Sequence, residues 1–343
     1  MKRFNTAIVG ATGAVGQEFL KLIEERNFPF GELKLLASSR SAGKQIDFMG
    51  KTYTVEETTE NSFDGVKFAL FAGGAASKLF APAAVKSGAV VIDNSSNFRM
   101  DPNVPLVVPE VNPQAIRRHK GIIANPNCST IIMVMALKPL YNLSPIKRVV
   151  VSTYQAVSGA GREGMDELKN QLDALARDEE VTAKVLPVAK LDKHYQIASN
   201  LLPQIDIFMD NLYTKEEMKM VDETRKIMED DNLRVTATTV RVPVYRSHAE
   251  SVNVEFADEV SVDDARKALE NFPGVIVRDN PDEMIYPQPL ETSGKDAVEV
   301  GRLRKDFSID HGLNLWVCGD QIRKGAALNA LQIAERMIAD GLV

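Results

Sequence analysis

The stretch FNTAIVGATGAVGQEFLKLIEE, residues 4–25, decides the fold of the first part of this chain. A short apolar strand runs into a turn with three glycines, and the segment after the turn places Phe19, Leu20 and Ile23 at helical spacing. Further apolar runs alternate with helical stretches; these runs lie at 33–37, 68–71 and 89–92. Because this alternation is typical of parallel strands covered by helices, we predict an α/β domain.

The pattern of residue types changes after residue 127. Runs rich in β-branched residues alternate there with long helical stretches; the runs lie at 148–154, 234–244 and 251–256, and the helices at 163–177 and 216–229. This pattern predicts an α+β domain with a mixed, largely antiparallel sheet. The stretch 185–207 contains Pro187 and Pro203 and has no clear period, so we expect an extended arm or a loop that contacts a partner.

The end of the chain returns to the first domain in this interpretation. Residues 325–338 have the spacing of an amphipathic helix long enough to cover the first sheet. We therefore expect one domain over 1–127, completed by the C-terminal helix over 322–343, and a second domain over 128–321. The length of 343 residues agrees with about two domains.

Composition excludes several classes of protein. The apolar share is 44% and the charged share 26%, which is ordinary for a globular protein and unlike a disordered chain or a disulfide scaffold. The formal net charge is −6 with no long run of one sign, which argues against nucleic acid or an anionic membrane as a partner. Two distant cysteines indicate a reducing compartment, and no stretch approaches the roughly 20 apolar residues of a membrane span. We expect a cytoplasmic protein.

The glycine turn predicts a dinucleotide site at the start of the first domain. Glycines at a strand-to-helix junction allow a tight turn and a close approach of ligand, and the helix start offers N–H groups to a phosphate. The spacing is GxxGxxG rather than the GxGxxG of the Rossmann fingerprint, so a turn whose glycines serve only packing remains an alternative. The glycines of the turn are Gly10, Gly13 and Gly16.

The end of the second strand favours NADP over NAD. An NAD site usually has an acidic residue there for the ribose 2′-hydroxyl, whereas this chain has Ala37, Ser38, Ser39 and Arg40. A guanidinium neutralises a 2′-phosphate that a carboxylate would repel. Ser39 and Arg40 are therefore predicted cofactor contacts, with a solvated loop charge as the alternative for Arg40.

Cys128 stands at a predicted helix start, because Asn125-Pro126-Asn127 leads directly into an apolar run over 131–140. The aligned N–H groups at such a position favour the thiolate, although a buried structural cysteine is the alternative. Cys318 lies inside an apolar strand and is interpreted as structural. Spacing alone does not choose a base among the four histidines at 119, 194, 248 and 311, and nothing in the sequence predicts a metal site.

Five motifs in order resemble the bacterial-type aspartate-semialdehyde dehydrogenase family. They begin at Gly10, Asn94, Asn125, Tyr154 and Arg241, and read GATGAVG, NSSNFR, NPNCST, YQAVSGAG and RVPVYRSHAES. Each motif alone is modest, but their shared order spans nearly the whole chain. The resemblance implies a Rossmann-type NADP-binding domain and a second domain that forms a homodimer.

The resemblance also implies the roles of individual residues. The catalytic positions are Cys128 as the nucleophile that forms a thioester, His248 as the acid and base, and Gln155, which orients the acyl group. The substrate-binding positions are Arg241 for the carboxylate, Glu216 for the amine, and Arg99, Asn127 and Lys219 for the phosphate. The cofactor positions are Thr12, Gly13, Ala14 and Val15 in the glycine turn, Ser39 and Arg40 after the second strand, and Ser158, Gly159 and Gln321 in the second domain.

The implied reaction is the NADPH-dependent reduction of L-aspartyl 4-phosphate to L-aspartate 4-semialdehyde and phosphate, in the biosynthesis of lysine, threonine, methionine and isoleucine. The implied site lies in the cleft between the two domains. Other phosphorylating aldehyde dehydrogenases, of the N-acetylglutamyl-phosphate or glyceraldehyde-3-phosphate type, would share the thioester chemistry, but the run 241–251 favours the aspartyl substrate. A non-catalytic NADP-binding redox sensor is a more distant alternative, since it gives no reason for a cysteine at a helix start.

Overall fold

The computed structural model describes residues 2–343 and divides them into two compact units. The first unit runs to Asn127 and resumes at Gly325, and the second spans Cys128–Lys324. The chain thus returns to the first unit three residues after the 321 boundary expected from the sequence. Arg323 stays with the second unit because its guanidinium pairs with Asp296 at 2.7 Å.

The first unit is built on a parallel sheet with the strand order β5-β2-β1-β6-β7-β8, and β3 and β4 form a separate hairpin. The strands are β1 Phe4–Val9, β2 Phe30–Ala37, β3 Gln45–Phe48, β4 Lys51–Thr54, β5 Glu56–Glu57, β6 Phe68–Phe71, β7 Val90–Asp93 and β8 Ile122–Ala124. The helices are α1 Ala14–Glu25 and α2 Ala75–Lys86. The parallel pairing confirms the parallel sheet predicted from the alternation of strands and helices, and it agrees with the Rossmann-type fold that the family resemblance implies.

The second unit is built on a mixed sheet with the strand order β10-β9-β11-β14-β13-β12. Its strands are β9 Ile146–Gln155, β10 Arg234–Arg241, β11 His248–Phe256, β12 Val275–Val277, β13 Val298–Asp306 and β14 Gly312–Gly319. Its helices are α3 Cys128–Tyr141, α4 Gly161–Ala176, α5 Lys215–Met228, α6 Val262–Glu270 and α7 Pro289–Thr292. Three of the five strand pairs are antiparallel, as the composition of these runs predicted.

The C-terminal helix α8, Leu328–Ala339, completes the first unit, after a π-helical turn over Arg323–Ala327. Its residues Leu331, Ala334 and Met337 are buried in one core with Phe19 and Ile23 of α1. A second buried cluster, which includes residues of α2, covers the opposite face of the sheet. The sheet is therefore covered on both faces, as a parallel sheet requires.

The predicted arm of the second unit lies against α4. The carboxylate of Glu167 accepts hydrogen bonds from the backbone N–H groups of residues 184–186, and Gln171 accepts from those of 197 and 198. These buried side chains satisfy backbone groups that have no strand partner, so the arm has a defined path. Of the helices in residues 2–343, none is both long and apolar enough to cross a membrane.

Candidate active site

Three strand ends and one helix start bring the predicted catalytic residues together in the second unit. Gln155 ends β9 and is paired in register with Arg241, which ends the parallel neighbour β10. The antiparallel neighbour β11 begins at the same edge with His248. Helix α3 begins at Cys128, whose sulfur lies 3.5 Å from Nε2 of His248. The edge of the sheet therefore carries a nucleophile, a histidine, an amide and a guanidinium.

The hydrogen bonds of His248 decide where its ring hydrogen lies. The backbone N–H of Ala156 donates to Nδ1 at 3.1 Å. A neutral ring that accepts at Nδ1 carries its hydrogen on Nε2, the atom that faces the sulfur of Cys128. The neutral imidazole is therefore oriented to donate toward the sulfur.

Protonation of His248 is unfavourable in this environment. The ring is fully buried, and burial lowers the pKa of His248 to about 3, with the nearby cation of Arg241 acting in the same direction. Protonation would also place a hydrogen on Nδ1, where it would face the backbone N–H of Ala156 instead of accepting from it. Of the predicted acid and base role, the structure therefore supports a neutral ring of His248 that donates a hydrogen bond from Nε2.

Gln155 links the cysteine helix to an acidic side chain. Its Nε2 donates to Oγ of Ser129 at 2.6 Å and to Oε1 of Glu216 at 3.1 Å. Its Oε1 is buried and finds no hydrogen-bond partner among the residues described. Because buried polar atoms are normally paired, this oxygen points to a polar group of a ligand.

The guanidinium of Arg241 is buried, and one of its N–H groups has no partner in the described chain. One of its terminal nitrogens donates to the backbone oxygen of Ala156 at 2.7 Å, while its Nε finds no partner in the described chain. Burial lowers the pKa of Arg241, although Glu216 and Cys128 act in the opposite direction. A Cβ on Gly159 would lie 2.7 Å from the same guanidinium, so a glycine there allows Arg241 to reach the site.

Lys219 lies between two carboxylates. Its Nζ is 3.1 Å from Glu216 and 3.0 Å from Asp206. Burial alone would lower the pKa of Lys219, but the two carboxylates outweigh it and raise that pKa. The cluster carries one excess negative charge, which suits the ammonium group of an amino acid.

The predicted phosphate residues Arg99 and Asn127 belong to the first unit. Both are largely buried, and Arg99 donates to the backbone oxygens of Asn125 at 2.9 Å and Asn94 at 2.8 Å. The side chain of Asn125 also donates to that of Asn94 and accepts from Asn329 of α8. These contacts hold the guanidinium in a defined place, between the ends of β7 and β8.

The glycine turn of the first unit fits a dinucleotide phosphate. Helix α1 begins at Ala14, and its N-cap Gly13 supplies no side-chain cap to the first N–H groups. A Cβ on Gly16 would lie 2.7 Å from the Cα of Ala11 and still closer to the oxygen of Gly10, so glycine is needed for the helix to pack on the turn. Thr12, Gly13, Ala14 and Val15 are accessible around these N–H groups.

The predicted 2′-phosphate residues are next to this turn. Ser39 and Arg40 lie exposed in a short 3₁₀ turn after β2. The hydroxyl of Ser41, which ends that turn, is 3.4 Å from the hydroxyl of Thr12. The two sequence motifs are therefore neighbours in the first unit.

The predicted cofactor residues of the second unit make structural contacts of their own. The side chain of Gln321 accepts from the backbone N–H of Ser247 at 2.7 Å and donates to the hydroxyl of Ser158. Gln321 and Ser158 are buried, whereas Gly159 is exposed. Gln321 thus connects the turn before His248 to the second glycine-rich turn.

Several hydrogen-bonding groups of this site were not predicted from the sequence. Ser129, Asp206 and the backbone of Ala156 each bind a predicted residue, yet only Ser129 and Ala156 lie within a recognised motif. Cys318 is buried, and burial raises the pKa of its thiol, which agrees with a structural role. Among the residues that the structure describes, no group of three or more His, Cys, Asp or Glu could hold a metal ion.

Comparison with known proteins extends over the whole chain. Residues 5–119 match the family model "Semialdehyde dehydrogenase, NAD binding domain", and residues 137–324 match "Semialdehyde dehydrogenase, dimerisation domain". The aspartate-semialdehyde dehydrogenase of Aquifex aeolicus is 57% identical, with 99% of both chains covered. The first unit is thus a nicotinamide-dinucleotide-binding domain.

Two solved structures are also similar. Aspartate semialdehyde dehydrogenase II of Vibrio cholerae, complexed with ASA, is 49% identical with a TM-score of 0.94 and 99% of both chains covered. Aspartate semialdehyde dehydrogenase of Candida albicans with NADP is 27% identical with a TM-score of 0.76 and 100% of both chains covered. These likenesses confirm the family that the five motifs predicted: the chain belongs to the aspartate-semialdehyde dehydrogenases, which are oxidoreductases.

Proposed function

We propose that this protein catalyses the reversible, NADP-dependent conversion of L-aspartyl 4-phosphate to L-aspartate 4-semialdehyde and phosphate, a step of amino-acid biosynthesis. The observation that carries the proposal is the 3.5 Å contact between Cys128 Sγ and His248 Nε2, at a sheet edge that also holds Arg241 and that Glu216 of α5 reaches through its bond to Gln155. The similar Vibrio cholerae structure with ASA supports the substrate.

The first step joins the acyl group to the cysteine. The thiolate of Cys128 attacks the acyl carbon of the substrate, the new S–C bond forms, and the bond from carbon to the phosphate oxygen breaks. Phosphate leaves with the bonding electron pair, and Arg99, Asn127 and Lys219 are its proposed contacts. The product is a thioester on Cys128.

The second step reduces the thioester and regenerates the enzyme. A nicotinamide dinucleotide, when bound, supplies the hydride that converts the thioester carbonyl to a tetrahedral thiohemiacetal oxyanion. The Nε2–H of His248 stabilises that oxygen by donation while the C–S bond breaks. The aldehyde leaves, and Cys128 returns to the thiolate without drawing a proton from solvent.

The remaining residues of the site recognise the amino acid. The fork of Arg241 suits the α-carboxylate, and the carboxylate of Glu216, with its charge shared by Lys219, suits the α-ammonium. Gln155 is bonded to Ser129, the residue after Cys128, and its buried side-chain oxygen has no partner in the described chain, which supports its role in orienting the acyl group. The two rival substrate types lack this pair of charged groups on one carbon.

We also propose NADP as the preferred cofactor and a homodimer as the assembly. Arg40 and Ser39 beside the glycine turn, without an acid at the end of β2, support the first. The match to a dimerisation domain supports the second, together with exposed apolar side chains around a cavity of about 830 Å³ in the second unit. These side chains include Leu290, 86% exposed, and Tyr245 and Tyr286.

Steady-state kinetics test the proposal directly. NADPH formation should require aspartate semialdehyde and phosphate together, and kcat/KM should exceed that for glyceraldehyde 3-phosphate and N-acetylglutamate semialdehyde by at least about 100-fold. Equal rates on all three aldehydes would contradict the aspartyl substrate, and equal rates with NAD and NADP would contradict the cofactor preference. Sedimentation at micromolar concentration should give the mass of two chains.

A further inference from the structure

The residue before His248 has an unusual backbone. Ser247 has φ +76°, in the left-handed region where a residue with a Cβ is strained and glycine is not. It is fully buried and leads directly into β11. Because serine is strained in this conformation and glycine is not, we expect the side chain of Ser247 to make a contact that glycine cannot make.

The side chain of Ser247 is bound to a threonine on a distant segment. Its Oγ lies 2.5 Å from Oγ1 of Thr292, the last residue of α7, which is also fully buried. The hydroxyl of Thr292 has one hydrogen, and the backbone oxygen of Gln288 lies 3.1 Å away to accept it. When Thr292 donates to that oxygen, Ser247 is the donor of the pair, and the two hydroxyls connect the turn at Ser247 to α7.

Two further contacts hold the same turn. The hydroxyl of Ser293 lies 3.1 Å from the backbone oxygen of Arg246 and 2.8 Å from that of Pro289, and its one hydrogen is shared between these two acceptors. The backbone N–H of Ser247 donates to the side-chain oxygen of Gln321 at 2.7 Å. The turn is thus fixed from the segment that ends α7 and from the segment that follows β14. The ring of His248 touches neither segment in these bonds; its own contacts are with Ala156, Cys128 and the backbone of Ser247.

We propose that Ser247 and Thr292 are positioning residues for His248, and that their hydroxyl pair keeps Nε2 of His248 directed at Cys128. The proposal rests on the role of His248 given under the proposed function. Its physical basis is that a rotation at Ser247 is transmitted through one peptide bond to the Cα of His248. A displacement of about 1 Å at a reacting group is sufficient to cost up to about 100-fold in rate.

The test compares Thr292→Val, which keeps the shape and removes the hydroxyl, with Thr292→Ser, which keeps the hydroxyl. In the full-length protein, Thr292→Val should lower kcat roughly tenfold with KM values within about twofold, and Thr292→Ser should restore most of the rate. Thr238→Val, at an exposed position of β10, is the matched control and should behave as wild type.

A second measurement does not depend on turnover. The rate at which iodoacetamide alkylates Cys128 is followed against pH, because donation from Nε2–H favours the thiolate. In Thr292→Val and in Ser247→Gly the midpoint should move to higher pH, and the double variant should match either single variant because both remove one shared bond. Glycine accepts φ +76°, so Ser247→Gly is expected to fold.

The outcomes separate this proposal from the proposed function. If wild-type protein shows no phosphate-dependent oxidation of aspartate semialdehyde, the proposed function fails while the alkylation comparison still tests the positioning. If Ser247→Gly and Thr292→Val keep the wild-type alkylation profile, or if Thr292→Ser is as impaired as Thr292→Val, the positioning role is overturned.

Discussion

The sulfur of Cys128 lies 3.5 Å from Nε2 of His248, although 120 positions separate the two residues in the chain. The pair forms because α3 and β11 both begin at the edge where β9 and β10 end. The N–H of Ala156 occupies Nδ1, so the ring hydrogen of neutral His248 faces the sulfur. The pair therefore consists of a sulfur acceptor and a neutral imidazole donor.

The first prediction concerns the sulfur of Cys128. Cys128→Ser should lower kcat by at least about 10³-fold, because a hydroxyl at this position is not ionised at neutral pH. Binding of NADP, measured by calorimetry, should change little because the proposed cofactor contacts remain. Mass spectrometry of acid-quenched wild-type enzyme under turnover should show an aspartyl adduct on Cys128.

Cys318 provides the matched control, because it is the other cysteine of the second unit and is buried in β14. Cys318→Ala should retain most of the activity and carry the adduct on Cys128. An adduct on Cys318, or phosphate-dependent turnover by Cys128→Ala above a trace, would rule out the covalent route.

The second prediction concerns substrate binding by Arg241. Arg241→Lys should raise KM for aspartate semialdehyde by about tenfold or more, equivalent to about 1.4 kcal/mol, because an ammonium cannot form two parallel bonds to a carboxylate. Alkylation of Cys128 should continue at a rate near wild type. Arg234→Lys, at the exposed start of the same strand, is the control and should leave KM unchanged. An unchanged KM in Arg241→Lys would remove Arg241 from the substrate site.

Short-range patterns in the sequence predict the strands and helices whose apolar residues recur regularly. The strand, glycine turn and helix over residues 4–25 follow from apolar runs and spacing, because a buried parallel strand is continuously apolar and its helix has one apolar face. The strand β13 was missed, because its charged residues at 302, 304 and 305 interrupt the apolar pattern. The hairpin of β3 and β4 was missed for a similar reason: most of its residues are exposed.

The residues of the site could be named from motifs, but their contacts could not. The bond between Lys219 and Asp206 and the bond between Ser247 and Thr292 join segments without any common pattern. Which residues meet in these bonds depends on how distant segments pack together, and local propensity does not determine that packing. The neutral state of His248 likewise follows from its burial and from one backbone N–H.

The third prediction concerns the choice of cofactor. Arg40→Asp should raise KM for NADPH by about tenfold or more and should change KM for NADH much less, because a carboxylate repels the 2′-phosphate and tolerates a 2′-hydroxyl. Lys86→Asp makes the same change of charge at the exposed end of α2 and controls for the overall field of the first unit. If both variants raise KM for NADPH equally, Arg40 is a solvated loop charge.

The last prediction follows from the lowered pKa of His248. The ring has a pKa of about 3 in the folded protein and about 6.5 when unfolded, so between these values the unfolded chain binds one more proton. The associated stability is complete above about pH 6.5 and is lost as the pH falls toward 3, at up to about 1.4 kcal/mol per pH unit. His248→Gln lacks this titration, so urea unfolding from pH 8 to pH 4.5 should show the free energy of wild type falling more steeply than that of the variant. NMR provides the direct check: the ring signals that disappear in His248→Gln should not shift between pH 5 and 8, and a midpoint near 6.5 would show that the ring takes up a proton in the folded site.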